Sequence, residues 1–282
     1  MAELETSTSV PPALRRREWP LAGVVWIDLL IVALLVIFGT TIIQIIFLAL
    51  NAGAVGLSYD AVGKLSQNEL IGLIGVRGIF VSTLVQNLIF VAIPMIRIGF
   101  VRRESLATLG YTLTRPLRNL GIGVGVGLLA LVLNIGLSAL FSRVLHIEQN
   151  QSEQFAAFLP RNDLFGQLLF VVLAVVLAPI GEETLFRGYL FNSLRSPGGR
   201  TWLIVAYIVS ASIFSLIHIT GVTQGAIALL VPLFIVGLLL AATVHVTGSI
   251  YPAMIAHAMN NSVGAITLVT CIQIGIEHCQ TK

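Results

Sequence analysis

Seven stretches of the chain, at about 24–50, 71–96, 119–141, 164–180, 202–218, 224–246 and 250–275, are apolar almost without a break. Each is near the ~20 residues a helix needs to cross the hydrocarbon of a bilayer. Backbone groups in lipid must satisfy one another, so a spanning segment is a helix or part of a closed barrel. Long apolar runs without period-two alternation read as helices. The expected fold is therefore an all-α polytopic transmembrane helical bundle of about seven spans. The count becomes eight if the closely joined last two runs divide differently. Composition points the same way: 56% of the 282 residues are hydrophobic and 10% charged, where soluble domains carry about 25% charged residues. The net charge of +3 comes from few groups and implies no nucleic-acid partner.

Lysine and arginine placement sets the expected orientation. Arg15, Arg16 and Arg17 precede the first run, and Arg97, Arg102, Arg103, Arg115 and Arg118 lie between the second and third. Arg195 and Arg200 flank the turn after the fourth. The alternate loops, 51–70 and 142–163, carry only Lys64, Arg143 and Arg161, offset by acids. This places the N-terminus and the loops at 97–118 and 195–200 in the cytoplasm, with membrane lipid around an integral protein of the plasma (inner) membrane. The first run is far longer than the apolar region of a signal peptide and reads as an uncleaved span.

Several features read as structure rather than chemistry. The segment "GIGVGVG" at 121–127 lacks a preceding strand and the GxGxxG register. Gly121/Gly125 and Gly123/Gly127 are small-xxx-small pairs that let helices approach closely. Cys271 and Cys279 would be roughly 12 Å apart along one helix, too far for a disulfide, so they read as unpaired. Asp28 and Arg77 read as a structural pair or as groups facing a cavity. Trp19 and Trp26 suit an interfacial aromatic belt, His245 an interfacial position, and His146 and His278 solvated ones.

The chemistry concentrates in three stretches. "APIGEETLFRGYLF" at 178–191 ends an apolar run with two glutamates and an arginine. Pro179 removes a backbone donor and favours a kink there. In a helix Glu183 and Arg187 share a face at i, i+4 and can pair, while Glu182 points about 100° away and is free to act. "FSLIH" puts Phe214 and His218 on one face of the fifth span, and "HAMNN" puts His257 and Asn261 on one face of the seventh. Ionisable residues inside a membrane usually face the bundle interior and serve function. Glu182 and His218 lie at similar distances from the turn at 197–199, about 25–30 Å at 1.5 Å per residue. His257 lies only about 13 Å beyond Gly248, which fits only if the hairpin of the fourth and fifth spans extends beyond its neighbours.

These residues resemble the CPBP intramembrane proteases, a family that includes type II CAAX prenyl endopeptidases and bacteriocin-processing or self-immunity (Abi-like) proteins. The family pattern is EExxxR, FxxxH and HxxxN. Here it is Glu182-Glu183-x-x-x-Arg187, Phe214-x-x-x-His218 and His257-x-x-x-Asn261, in order, within about 164–275. The resemblance divides the chain into a cytoplasmic tail (1–23), N-terminal membrane spans (24–163) and a CPBP protease core (164–276). It implies hydrolysis of a peptide bond near the cytoplasmic membrane face, in a peptide or lipidated protein. Glu182 would be the general base, with His218 sharing its water. His257 and Asn261 would donate to the oxyanion, and Glu183 and Arg187 would hold the helix. A zinc form of the same reaction would use Glu182, His218 and His257. No HExxH occurs, so the usual two-histidine helix is missing, and of the two forms, cofactor-free or zinc-dependent, the former is favoured. A non-catalytic immunity or transport protein using the same polar cluster is the competing class. Its inverted-repeat form would duplicate the polar pattern in both halves, and here the motifs crowd into the second.

Overall fold

The structure is a computed structural model that describes residues 21–149, 155, 157–222 and 224–275. Among these, seven helices are long and apolar enough to cross a membrane: α1 (Leu21–Ala54), α2 (Gln67–Val101), α3 (Pro116–Val144), α4 (Leu164–Arg195), α5 (Gly199–Ile219), α6 (Ala226–Thr247) and α7 (Tyr251–Ile274). The described residues contain no strand. The expected all-α polytopic bundle and its seven spans are both present, and the protein is an integral membrane protein.

Local chemistry sets the helix ends. Ser66 opens α2 with a capping box: its hydroxyl accepts from Glu69 N, and Glu69 Oε2 accepts from Ser66 N at 2.8 Å. Each side chain satisfies a donor the first turn would otherwise leave open. Asp163 opens α4 by accepting from Gly166 N at 2.9 Å. Pro116 and Pro252 stand in the first turns of α3 and α7, where the missing N–H is not needed. Gly248 closes α6 in the left-handed conformation, φ 67°, which a glycine adopts without strain.

Packing places α4 at the centre. Its segments touch α2, α5 and α7, while α1 lies along α2, α3 along α7 and α6, and α5 along α6. The α3–α7 contact depends on Gly123 and Gly127. A Cβ on the first would stand 2.9 Å from Pro252 O and on the second 2.8 Å from Met259 Sδ. Gly121 and Gly125 face open space, so only one of the two small-residue pairs is a helix interface. Large apolar side chains of α1, including Leu30 and Phe38, are exposed, as expected of a lipid-facing helix.

The structure corrects two readings of the sequence. Asp28 does not pair with Arg77. It takes a two-pronged contact from Arg97, at 2.7 and 2.5 Å, and a hydrogen bond from the Tyr189 hydroxyl, whereas Arg77 reaches Asp163 at 3.6 Å. Arg97 looked like a loop residue, but α2 continues to Val101 and carries it onto α1. Cys271 is disulfide-bonded, although the spacing argued against it. That argument assumed one helix through both cysteines, and α7 ends at Ile274, with Gly275 in the left-handed conformation. Cys279, His278, Trp19 and Arg15–Arg17 lie outside the described residues.

Candidate active site

The fourth helix is not uniform. Wide π-helical turns over Leu173–Leu177 and Thr184–Phe191 flank a short α-helical piece, Ala178–Glu183. Such turns often mark functional positions. They also rise less per residue, which shortens α4 slightly between Glu182 and the turn at 197–199. Gly181 lets the piece lie against α2, since a Cβ there would fall 2.1 Å from Asn87 Oδ1.

The three motif stretches converge. Glu182 Oε2 lies 4.0 Å from His218 Nε2 and 3.9 Å from His257 Nε2. His218 Nδ1 is 2.8 Å from the carbonyl of Phe214, four residues earlier on its own helix. His257 Nδ1 is 2.9 Å from Glu183 Oε1. A carbonyl and an arginine-paired carboxylate can only accept, so each Nδ1 carries a proton and each ring turns its Nε2 toward Glu182, as an acceptor in the singly protonated form. Glu182 Oε2 is buried and makes no hydrogen bond within the protein. With both rings singly protonated, three acceptors face one space with no protein donor between them.

Glu183 is placed differently. It is fully buried, and its Oε1 takes both His257 Nδ1 and Arg187 Nη1, the latter at 2.8 Å. Arg187 is also fully buried, reaches the Gly237 carbonyl at 3.3 Å, and lies 4.0 Å over the Phe214 ring. That ring stands edge-on to both His218 and His257. The expected Glu183–Arg187 pair thus forms, and it also orients an imidazole. Asn261 donates one amide hydrogen to the Ala174 carbonyl at 2.9 Å, leaving the other for a ligand. In the tautomer described, His257 Nε2 is an acceptor, so an oxyanion role for that ring requires a second proton.

Glu182, His218, His257 and Asn261 line a cavity of about 780 Å³. Carboxamides outside the motifs, among them Gln44, Asn134 and Asn260, also line it. The sequence reading passed over these three, although an amide inside an apolar span is itself a signal. The cavity extends from Glu182 toward Gln67, Ser138 and Gln149, away from the arginine-rich end near which cleavage was expected.

A zinc ion would find a suitable donor set: two imidazole nitrogens and a carboxylate match catalytic zinc sites, and both rings have the outer partners that such ligands use. The spacing is wider than zinc requires. Tetrahedral bonds of about 2.0–2.1 Å bring ligand atoms to roughly 3.4 Å, against 3.9 and 4.0 Å here. Among the described residues no group of three His, Cys, Asp or Glu closes to metal-binding distance. The residues fit zinc in type and not in spacing.

Residues 164–263 match the family model described as Type II CAAX prenyl endopeptidase Rce1-like. The matched stretch contains all three motifs, and the CPBP resemblance read from them holds over it. The match supports a membrane protease acting on a membrane-associated peptide or prenylated protein. Comparison with curated proteins and with solved structures finds no match.

Proposed function

We propose that the chain is an intramembrane endopeptidase in which Glu182 activates a water to cleave a peptide bond. One observation carries this reading: a buried carboxylate oxygen without a protein hydrogen bond, 3.9–4.0 Å from two imidazole nitrogens, on the wall of a large cavity. A water making hydrogen bonds of about 2.8 Å to two acceptors spans gaps of this size.

In the reaction, the carboxylate of Glu182 takes a proton from that water and the hydroxide oxygen bonds to the carbonyl carbon. The carbonyl oxygen becomes an oxyanion facing the free amide hydrogen of Asn261, joined by His257 when its ring is doubly protonated. Collapse breaks the C–N bond, and Glu182 returns its proton to the leaving nitrogen. His218 holds the water from the other side. Glu183 and Arg187 act at one remove, by fixing the ring of His257. Positioned acid–base groups contribute about 10²–10⁴-fold to such reactions. The zinc form remains the second reading on the strength of its donor set. Zinc supplies a polarised water when bound, and its chelation would then stop cleavage.

Comparative peptidomics of cells carrying the wild-type or the Glu182→Ala protein tests the proposal. Peptides present with the wild type and missing with the variant, at equal membrane levels of both proteins, support it. Identical peptide profiles would leave the cluster a non-catalytic binding role. Cleavage by purified protein that survives strong chelation, with no metal in the preparation, retires the zinc form.

A further inference from the structure

We infer that the cavity receives its substrate from the membrane face opposite the arginine-rich one, the non-cytoplasmic face, and that what enters is an uncharged, extended stretch of peptide. What enters rests on the hydrolytic reading; the direction of the opening does not.

The direction follows from which part of each helix lines the cavity. On α4 the lining residues run from Phe170 to Glu182, all on the Leu164 side of the acid. On α7 they run from His257 to Leu268, toward the end of that helix, and on α6 from Ala228 to Val236, near its start. α4 and α6 run one way through the bundle and α7 the other, so all three place the opening at the same end. α2, through Gln67 to Thr83, and α3, through Asn134 and Ser138, agree. Gln67 and Ser138 are exposed at this end.

Toward the opposite end Glu182 is covered: the cavity of about 460 Å³ there, lined by Gly188, Asn192 and Arg195, does not reach Glu182, His218 or His257. Every residue from Gly181 to Phe191 is buried. The segment at 105–112 lies across it: the Tyr111 and Thr184 hydroxyls are 2.6 Å apart, and a Cβ on Gly188 would stand 2.8 Å from Leu109 O. That segment is tied in turn to the α6–α7 turn, where Gly110 O accepts from Ile250 N at 2.9 Å and Thr112 O accepts from the Ser249 hydroxyl at 3.1 Å.

Charge assigns the faces. Arg97, Arg102, Arg103, Arg115, Arg118, Arg195 and Arg200 stand at the covered end, and Arg15–Arg17 precede α1 in the sequence. Lys64, Arg77, Arg143 and Arg161 stand at the open end. Lysine and arginine, not net charge, mark the cytoplasmic side. The lining suggests what is admitted. It carries six carboxamides, Gln44, Gln67, Asn134, Gln149, Asn260 and Asn261, and no lysine or arginine among the described residues. Carboxamides can both donate to and accept from a peptide backbone.

The test is labelling with a membrane-impermeant maleimide in intact spheroplasts. Ser138→Cys and Gln67→Cys report the open end and Arg200→Cys the covered end, with the parent chain setting the background from its own cysteines. The expected result is at least about tenfold more labelling of the first two than of Arg200→Cys, which labels only after permeabilisation. The reverse pattern overturns the inference, and two separate positions guard against misfolding of one variant. The same labelling in a Glu182→Ala background separates the claims. Correct orientation without any cleavage by the wild type would sink the enzyme reading alone. Cleavage with inverted labelling would sink only the inference.

Discussion

Two parts of α4 meet at neighbouring glutamates. On the Leu164 side the helix borders a cavity, and Glu182 turns an unpartnered oxygen into it. On the Arg195 side the helix is buried as far as Phe191, and Glu183 is held there by Arg187 and His257. The difference shows how a membrane protein can keep two adjacent acids. Breaking up a buried ion pair is costly, so Glu183 is neutralised in place. Glu182 instead borders a space large enough for water. The packed side also holds Phe214 through the Arg187 contact, and Phe214 O fixes the tautomer of His218. The quiet half of the helix thereby orients the reactive half.

Removing either cavity-facing ring should affect activity far more than stability, with some stability lost at His257, whose ring also bonds Glu183. His257→Ala and His218→Ala are each expected to lower the rate of peptide cleavage by roughly 10²–10⁴-fold, measured as turnover of purified protein. Equal loss of activity and of folded protein would erase the distinction between the two sides. Asn261→Ala should lower kcat by about 10²–10³-fold with little change in KM, as expected for an oxyanion donor. A change confined to KM would make Asn261 a substrate-binding group instead. Arg187→Ala tests the packed side: it leaves Glu183 buried without its cation and is expected to cost roughly 3–5 kcal/mol, read from unfolding in detergent. Gly181→Ala lies between the two, since its Cβ must push Asn87 and α2 away. A cost of about 1–3 kcal/mol is expected, together with reduced turnover as Glu182 shifts from the rings.

Much of this was legible in the sequence. The seven spans follow from apolar run length, and the Glu183–Arg187 pair from i, i+4 spacing on a helix that stays regular enough between them. The motif triplet named the residues that meet around Glu182. Other parts were not legible. Asp28 finds Arg97 rather than Arg77 because α2 runs past the last apolar residue, and hydropathy does not show that continuation. The π-helical turns of α4 were not legible either, because they have no reliable residue signature. The lid at 105–112 forms from single contacts, such as Tyr111 with Thr184, between stretches far apart in the chain. The cavity's opening depends on how helices are placed side by side, so the motifs gave the floor of the site without its mouth.

The central claim concerns one carboxylate, and it is tested most directly by the turnover of purified, reconstituted Glu182→Ala protein beside the wild type, on a peptide identified in cells, with unfolding followed in the same preparations. The expected result is a rate lower by roughly 10²–10⁴-fold and an unfolding midpoint close to that of the wild type. Wild-type turnover by the folded Glu182→Ala protein would contradict it.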